Sequence, residues 1–372
     1  FHYSRCFKVN DMKKVATITF QDANNYGAML QCYALQHTIK NIGYQCDVID
    51  YYCEYLAKPY CKAAIKRKGI IRYILGNINV FVRWPRKKRF KEFRKKIERT
   101  SKVDCSTIDS LNSEYDIFIT GSDQVWNYKL TDFDTRYFLD FVCDSRKKMS
   151  YAASLGFDSF PSEIADNYYS LLKDFAVVNV REQSACELLK TLLGDRVFVG
   201  MDPTLLLMKN DWDEVSVEPK YSGYIFVYQL SPSKYMTNIL KELKKATGLK
   251  VIAVPFVMGA VGAKCALGAG PSEWIGYIKN AEYVVTDSFH ATAFSLIYSK
   301  KLYSCVNESA SRITDLLGTV GMECFLYTKD RQFELINNVD YEAAQKIIAE
   351  ERKKSISMLS QMIEGEKVDL YD

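Results

Sequence analysis

A chain of 372 residues, 48% hydrophobic and 26% charged, is too long for one ordinary core and reads as a globular protein of two domains. No apolar run reaches the ~18–20 residues that span a bilayer, and the start FHYSRCFKVN has no apolar signal-type stretch, so neither a membrane span nor a secretory signal is expected and the expected location is cytoplasmic. Eleven cysteines without a CxxC pair, and only three histidines, argue against a zinc cluster or a disulfide scaffold and for reduced thiols around a metal-independent chemistry.

In chain order, KKVATITF (13–20) reads as a buried strand, leading through DANNYG into a helix over about Tyr26–Ile42. CDVID (46–50) is a second strand. Between Lys62 and Arg99 fifteen Lys and Arg stand against two Glu, a local +13 that leaves −8 for the rest of the chain. Here RWPRKKRFKEFRKKIERT sets Phe90, Phe93 and Ile97 at helical spacing among the cations. That pattern suits peripheral contact with the anionic inner face of a membrane, a phosphate-bearing acceptor, or simply a solvated helix with a thin apolar stripe. No nucleic-acid recognition motif accompanies the charge.

YDIFITG (115–121), KKMSYAAS (147–154) and FAVVNV (175–180) are further strands, then a helix runs through Leu193 to VFVG (197–200). After MDPTLLL a second set begins: YIFVYQL (224–230), a helix rich in Lys and Leu, LKVIAVP (249–255), a short helix near 272–280, EYVVTD (282–287) and KLYSCV (301–306). Asp340 to Gly365 reads as a long amphipathic helix. Such alternation predicts an α/β, GT-B-like architecture, with two Rossmann-like doubly wound domains facing an interdomain cleft. The expected division is 1–206, with a basic helical insertion at about 62–99, then 207–340, then a terminal helix within 341–372 that can pack back on the N-terminal domain.

Open parallel sheets bind ligands beyond the carboxyl ends of their strands. Those places hold DANNYG, GSDQVWN, Arg181, Asp202 and His290. SFHATAF puts His290 in the first turn of a helix, where unpaired amides attract anions. The helix field disfavours an imidazolium there and a bound phosphate or carboxylate favours it, which suits a proton donor beside an anion. A capping or core histidine is the plainer reading. Arg181, at another strand-to-helix junction, suits bidentate binding of a carboxylate or phosphate, or a salt bridge to Glu182. Lys300 or Lys301 supplies a second cation, or is a turn lysine. Gly27 lets the backbone approach a ligand, and Asn25 is a hydrogen-bonding group or a cap. Ser122, Asp123, Gln124 and Trp126 suit a sugar ring, or a capped turn over a buried Trp. Neither the GxGxxG nor the Walker fingerprint is met.

Taken together, NNYGAMLQCYALQ, DIFITGSDQVWN, VREQSA, DPTLLL, GPSEWIGYIKNAEYVVTDSFHATAFSLIYSKK and SRITDLLGTVG resemble the polysaccharide pyruvyl transferase family, in order from about residue 14 to residue 321. The resemblance implies transfer of the pyruvyl group of phosphoenolpyruvate onto two hydroxyls of a saccharide, as in exopolysaccharide of the cell envelope. The product is a cyclic ketal, phosphate leaves, and no cofactor beyond the donor is needed. By the same resemblance His290 and Arg181 are the catalytic positions. Arg181, His290, Lys300 and Ser288 hold phosphoenolpyruvate, and Asn25, Gly27, Ser122, Asp123, Gln124 and Trp126 face the acceptor, which can be lipid-linked. The family commonly has Gly after the motif histidine, where Ala291 stands here, and Asn-Lys-Pro where Ser299, Lys300 and Lys301 stand. A nucleotide-sugar glycosyltransferase and a non-catalytic glycan-binding protein are the alternative readings.

Overall fold

The computed structural model describes residues 12–53, 84–157, 159–160, 163–254, 263–306 and 311–366. Within it β1 (Lys14–Ile18), β2 (Gln45–Tyr51), β3 (Arg99–Val103), β4 (Ile117–Thr120) and β5 (Lys148–Ser150) form one sheet in the order β3-β2-β1-β4-β5. β6 (Val178–Val180) and β7 (Val197–Val199) pair with each other. Single bridges from Met149 to Val177 and from Ala153 to Val180 carry the sheet on to them. A second sheet holds β8 (Ile225–Tyr228), β9 (Val251–Ala253), β10 (Lys264–Cys265), β11 (Tyr283–Thr286), β12 (Lys301–Cys305) and β13 (Leu326–Tyr327), in the order β10-β9-β8-β11-β12-β13.

Every named pairing is parallel. The central strands β4, β8 and β11 are buried at every position. Short continuous apolar runs of this kind belong to parallel sheets covered on both faces. The protein is therefore α/β with two Rossmann-like, doubly wound halves in a GT-B-like arrangement. In each half the strand order reverses between neighbours, β1/β4 in the first and β8/β11 in the second. A ligand crevice is expected beyond the carboxyl ends at such a reversal.

Helix Tyr26–Asn41, which leaves β1, is capped by the Asn25 side chain accepting from the Ala28 N–H. It is buried on nearly every side because it serves two cores. Leu35 and Ile39 pack with the first sheet, while Tyr26, Met29 and Tyr33 join the core of the second half. The terminal helix Glu342–Glu364 does the same over its length. Ala344 and Ile348 belong to the second core, and Leu359, Met362 and Ile363 pack with Val15 and Ile39 of the first.

Residues 84–94 are helical. The stripe of Phe90, Phe93 and Ile97, read from sequence as a surface that could rest on a membrane, is only 0%, 2% and 4% exposed. It is buried in the core shared with Tyr26 and Trp274. Burying three apolar side chains against other apolar side chains is worth ~1.5–3 kcal/mol each, so this face is not available to lipid. Several cations of the helix are also engaged inward. Arg89 pairs with Glu273 at 3.0 Å, and Arg86 donates to the Asn24 carbonyl at 3.0 Å. Arg94 bonds the Asn24 side chain at 2.9 Å. The basic stretch from Lys62 to Arg83 lies outside the described residues. Among those described, no helix is long and apolar enough to cross a membrane.

Candidate active site

The four strands flanking the two reversals deliver their carboxyl ends to one region. Asn25 follows β1, Asp123 follows β4, Ser231 follows β8 and His290 follows β11, and all four line one cavity of about 300 Å³. His290 occupies the first turn of helix Phe289–Ile297, whose cap Ser288 accepts from the Ala291 N–H at 3.5 Å. Asp287, just before it, accepts from the Leu230 and Ser231 amides at 2.7 and 2.9 Å, which ties the loop after β8 to the loop after β11. Burial pushes the Asp287 carboxyl up, against those amide bonds.

The imidazole of His290 lies directly on the other half of the molecule. A Cβ added to Gly27 would stand 2.0 Å from His290 Nδ1, so only glycine leaves room for the ring. Two helix amino ends, those of Tyr26–Asn41 and Phe289–Ile297, thus meet at one imidazole. Such ends carry unpaired N–H groups and a partial positive charge, and together they favour an anion.

Behind the imidazole stands Asp202. Its Oδ2 lies 3.7 Å from His290 Nε2, accepts from an Arg181 guanidinium nitrogen at 3.0 Å and from Ser122 Oγ at 3.2 Å. Its Oδ1 accepts from the Thr204 amide and hydroxyl at 3.0 and 2.7 Å, capping the turn that DPTLLL makes. Burial alone would raise this carboxyl, but His290, Arg181 and Thr204 hold it below its ordinary 3.8. Arg181 also bonds Glu182 at 3.1 Å and covers the Phe289 ring at 4.8 Å. Burial disfavours its charge, yet Glu182, Asp202 and Asp123 outweigh that and hold it above its usual range.

For His290 the balance goes the other way. Only 12% of its side chain is exposed. Burial pushes the imidazole below its ordinary 6.5, with Arg181 and Arg312 adding to the depression while Asp202 and Asp123 oppose it. The ring is therefore neutral at pH 7 and is charged more readily once an anion sits beside it. His290 Nε2 and one terminal nitrogen of Arg181 are buried without a hydrogen-bond partner.

Five of the sequence-predicted residues behave differently from expectation: Trp126, Lys300, Lys301, Arg181 and Ser122, which is fully buried, donates to Asp202 and lines none of the cavities described. Trp126 is fully buried, stacked on Phe138 at 5.7 Å, and its indole N–H donates to the Tyr137 carbonyl at 3.0 Å. It is a core residue under the turn and offers no ring to a sugar. Lys300 stands at the other end of the helix that begins at His290, just before β12, because a helix after β11 must run back along the sheet. Burial pushes its amine down, Glu282 opposes this, and Lys209 and Lys279 add to it. Lys301 pairs there with Glu282 at 2.6 Å. Neither lysine lines the cavity around His290. Arg181 reaches Asp202 but lines a separate cavity of about 250 Å³ behind Phe289.

Two functional candidates went unassigned by sequence reasoning. Asp202 was visible as a strand-end residue in DPTLLL, but nothing local marked it as the hub of four side chains. Arg312, in SRITDLLGTVG, lines the cavity with His290. With the Gln124 amide turned so that its oxygen faces the guanidinium, Gln124 accepts from both terminal nitrogens of Arg312 at 2.8 and 3.0 Å. Among the described residues no His, Cys, Asp and Glu cluster has the spacing to hold a metal ion.

Beside this charged cavity lies a larger one of about 530 Å³, lined in part by Phe20, Tyr51, Tyr52, Leu130 and Tyr137. Asn25, Asp123 and Gln124 line both. At their junction Asp123 has φ 82, a left-handed conformation that non-glycine residues seldom adopt and that tends to occur at functional sites.

Among solved structures the chain is similar to the UDP-N-acetylglucosamine 2-epimerase of Rickettsia bellii, with 12% identity over 94% of this chain and 99% of that one and a TM-score of 0.43. It is similar also to the UDP-GlcNAc 2-epimerase of Methanocaldococcus jannaschii, with 11% identity over 90% and 91% and a TM-score of 0.46. A third is Arabidopsis thaliana UGT89C1 complexed with UDP-L-rhamnose, with 9% identity over 95% and 94% and a TM-score of 0.39. No curated protein matches the chain. The model of the family described as polysaccharide pyruvyl transferase matches residues 25–309, which span both halves and include Asn25, Asp123, Ser231 and His290, and the chain belongs to that family.

Proposed function

We propose that this protein transfers the pyruvyl group of phosphoenolpyruvate onto two hydroxyls of a saccharide in a polysaccharide or its precursor, forming a cyclic ketal and releasing phosphate. One observation carries the reading. A cavity of about 300 Å³ gathers His290, Ser288 and Arg312 where two helix amino ends face each other, and that is a site for a small, multiply charged anion. The volume suits an enol phosphate.

The donor brings a phosphate and a carboxylate. Arg312 and the helix-start amides neutralise them, and Ser288 adds a hydroxyl. The anion raises the affinity of His290 for a proton, so donor binding itself arms the acid. His290 then protonates C3, the C2=C3 bond opens and an oxocarbenium-like centre forms at C2. A sugar hydroxyl attacks C2 and gives up its proton, for which Asp123 at the junction of the cavities is the base. The C2–O bond to phosphate breaks, phosphate carries off the proton that Asp123 took, and the second hydroxyl closes the ketal on C2 while its proton returns to His290. Arg181 acts through Asp202 rather than on the donor. It fixes the carboxylate that faces His290 Nε2, so it is a positioning residue. The protein works without a cofactor beyond its donor, in the cytoplasm, and its acceptor can be lipid-linked at the inner membrane face.

Acceptor-dependent release of phosphate from phosphoenolpyruvate, across galactose, mannose and N-acetylhexosamine glycans, tests the reading. Release that depends on a glycan supports it. Turnover of UDP-sugars, with no binding of phosphoenolpyruvate by calorimetry, would replace it with a glycosyltransferase.

A further inference from the structure

We infer that the cavity of about 530 Å³ on the N-terminal half is the acceptor subsite, and that it takes a pyranose ring presenting its apolar C–H face to Tyr52, with Leu130 closing the rim. The inference rests on the proposed pyruvyl transfer for the identity of the neighbouring ligand, but its own observations are separate. The volume lies within the ~300–1,000 Å³ range of small-molecule sites and exceeds what an enol phosphate fills.

Its walls are of two kinds. Phe20, Tyr52, Leu130 and Tyr137 contribute apolar surface to the lining, and Asn25, Asp123 and Gln124 contribute hydrogen-bonding groups. A sugar combines the same two kinds of surface, with axial C–H groups on one face and hydroxyls around the edge. Tyr52 and Leu130 are 46% and 42% exposed, among the few large apolar side chains that are; Tyr52 directly follows β2, Leu130 stands in the short helix Tyr128–Thr131, and both line this one cavity. Tyr52 is further held by Lys102, whose ammonium lies 5.3 Å from the ring centroid. An exposed aromatic that a cation holds against a cavity marks a binding site more than a scattered surface residue does.

The junction fixes the geometry of transfer. The three polar residues belong to the donor cavity as well, so a hydroxyl held there is next to C2 of the donor. Ring closure needs two hydroxyls reachable from one carbon, which limits the acceptor to a 1,2- or 1,3-diol on the sugar edge that faces Asp123. The subsite therefore selects by which edge of the ring points inward when its C–H face lies on Tyr52.

The test uses the full chain with methyl glycosides of galactose, mannose and N-acetylglucosamine, followed by saturation-transfer NMR without donor, and phosphoenolpyruvate binding by calorimetry in parallel. At least one glycoside should bind, and Tyr52→Ala should weaken it about fivefold or more, the size of one lost aromatic contact. Tyr52→Phe should restore binding, and the donor affinity of both variants should stay within about twofold, since Tyr52 does not line the donor cavity. Glycoside binding that is indifferent to Tyr52→Ala overturns the inference, as does binding that follows only an added alkyl chain, which would make the cavity a lipid site. A loss in Tyr52→Ala that Tyr52→Phe does not restore also overturns it, because the ring face would then not be the contact. If the glycoside binds through Tyr52 while phosphoenolpyruvate does not bind at all, the subsite stands and the pyruvyl-transfer reading falls.

Discussion

Two of the contacts that join the halves of this molecule are built differently. In one, Tyr26 from the first half stacks on Trp274 of the second at 5.4 Å, meets Tyr228 edge-on, and donates its hydroxyl to the Ala269 carbonyl at 2.8 Å. In the other, His290 of the second half sits on Gly27 and faces Asp202 of the first. Tyr26 and Gly27 are adjacent in sequence, so a single helix start serves both. In the aromatic contact the Tyr26 hydroxyl has a partner, while the Trp274 indole N–H is buried without one but lines none of the cavities described. The polar contact leaves His290 Nε2 buried and unpartnered beside the charged cavity that the ring lines. Buried polar groups normally find partners, so an exception of this kind is where a ligand belongs. The first contact is for holding the halves together and the second for chemistry at the seam they make.

That contrast breaks most visibly at His290. His290→Gln should keep the fold, as judged by circular dichroism and thermal melting, and lower phosphate release by about 10²- to 10⁴-fold, the usual contribution of a general acid. Activity close to wild type would remove the imidazole from the chemistry. At the aromatic contact the opposite division is expected. Trp274→Ala should cost about 3–5 kcal/mol in denaturant unfolding through the cavity it leaves, while the folded fraction keeps its donor affinity.

Gly27→Ala probes the point where the two contacts meet. The added methyl must displace the imidazole, so stability should fall by about 1–3 kcal/mol, as for overpacking, and turnover should fall further than stability accounts for. A variant with normal turnover would mean that the contact of His290 with Gly27 is incidental. The pH dependence sharpens the assignment of the acid. Because the free imidazole is held below 6.5, its protonated form is scarce at neutral pH. The kcat/KM for phosphoenolpyruvate should then fall about tenfold per pH unit on the alkaline side of that lowered value, and donor binding at pH 7 should take up a proton in calorimetry. His290→Gln should abolish both effects. The smallest change is expected away from either contact. Lys91 is exposed on the outer face of helix 84–94, and Lys91→Ala should leave stability within about 0.5 kcal/mol and turnover unchanged.

Much of the fold is legible in the chain because strands buried on both faces are continuous apolar runs. IFIT, IFVY and YVVT are plain to see. The strands that escape notice are edge or near-edge ones. β3 is the half-exposed RTSKV, and β10 and β13 have two residues each, so no hydrophobic run marks them. The basic helix shows its stripe of Phe90, Phe93 and Ile97 in sequence, but not what covers it, since a core and a membrane ask for the same pattern. Trp126 misleads for a related reason. An aromatic after a strand end looks the same whether the turn points it out to solvent or, as here, down onto Phe138.

The sequence by itself determined the alternation of strands and helices, the helix starts near Tyr26 and His290, and the set of polar residues at strand ends, because each depends on neighbours within a turn or two. Only the tertiary structure decided which of these meet. It put Gly27 under His290, made Asp202 the group behind the imidazole, brought Arg312 to the cavity and left Lys300 at the far end of its helix. Those outcomes depend on how two separately patterned sheets dock, and docking is set by shape and burial across segments far apart in the chain, which local periodicity does not encode.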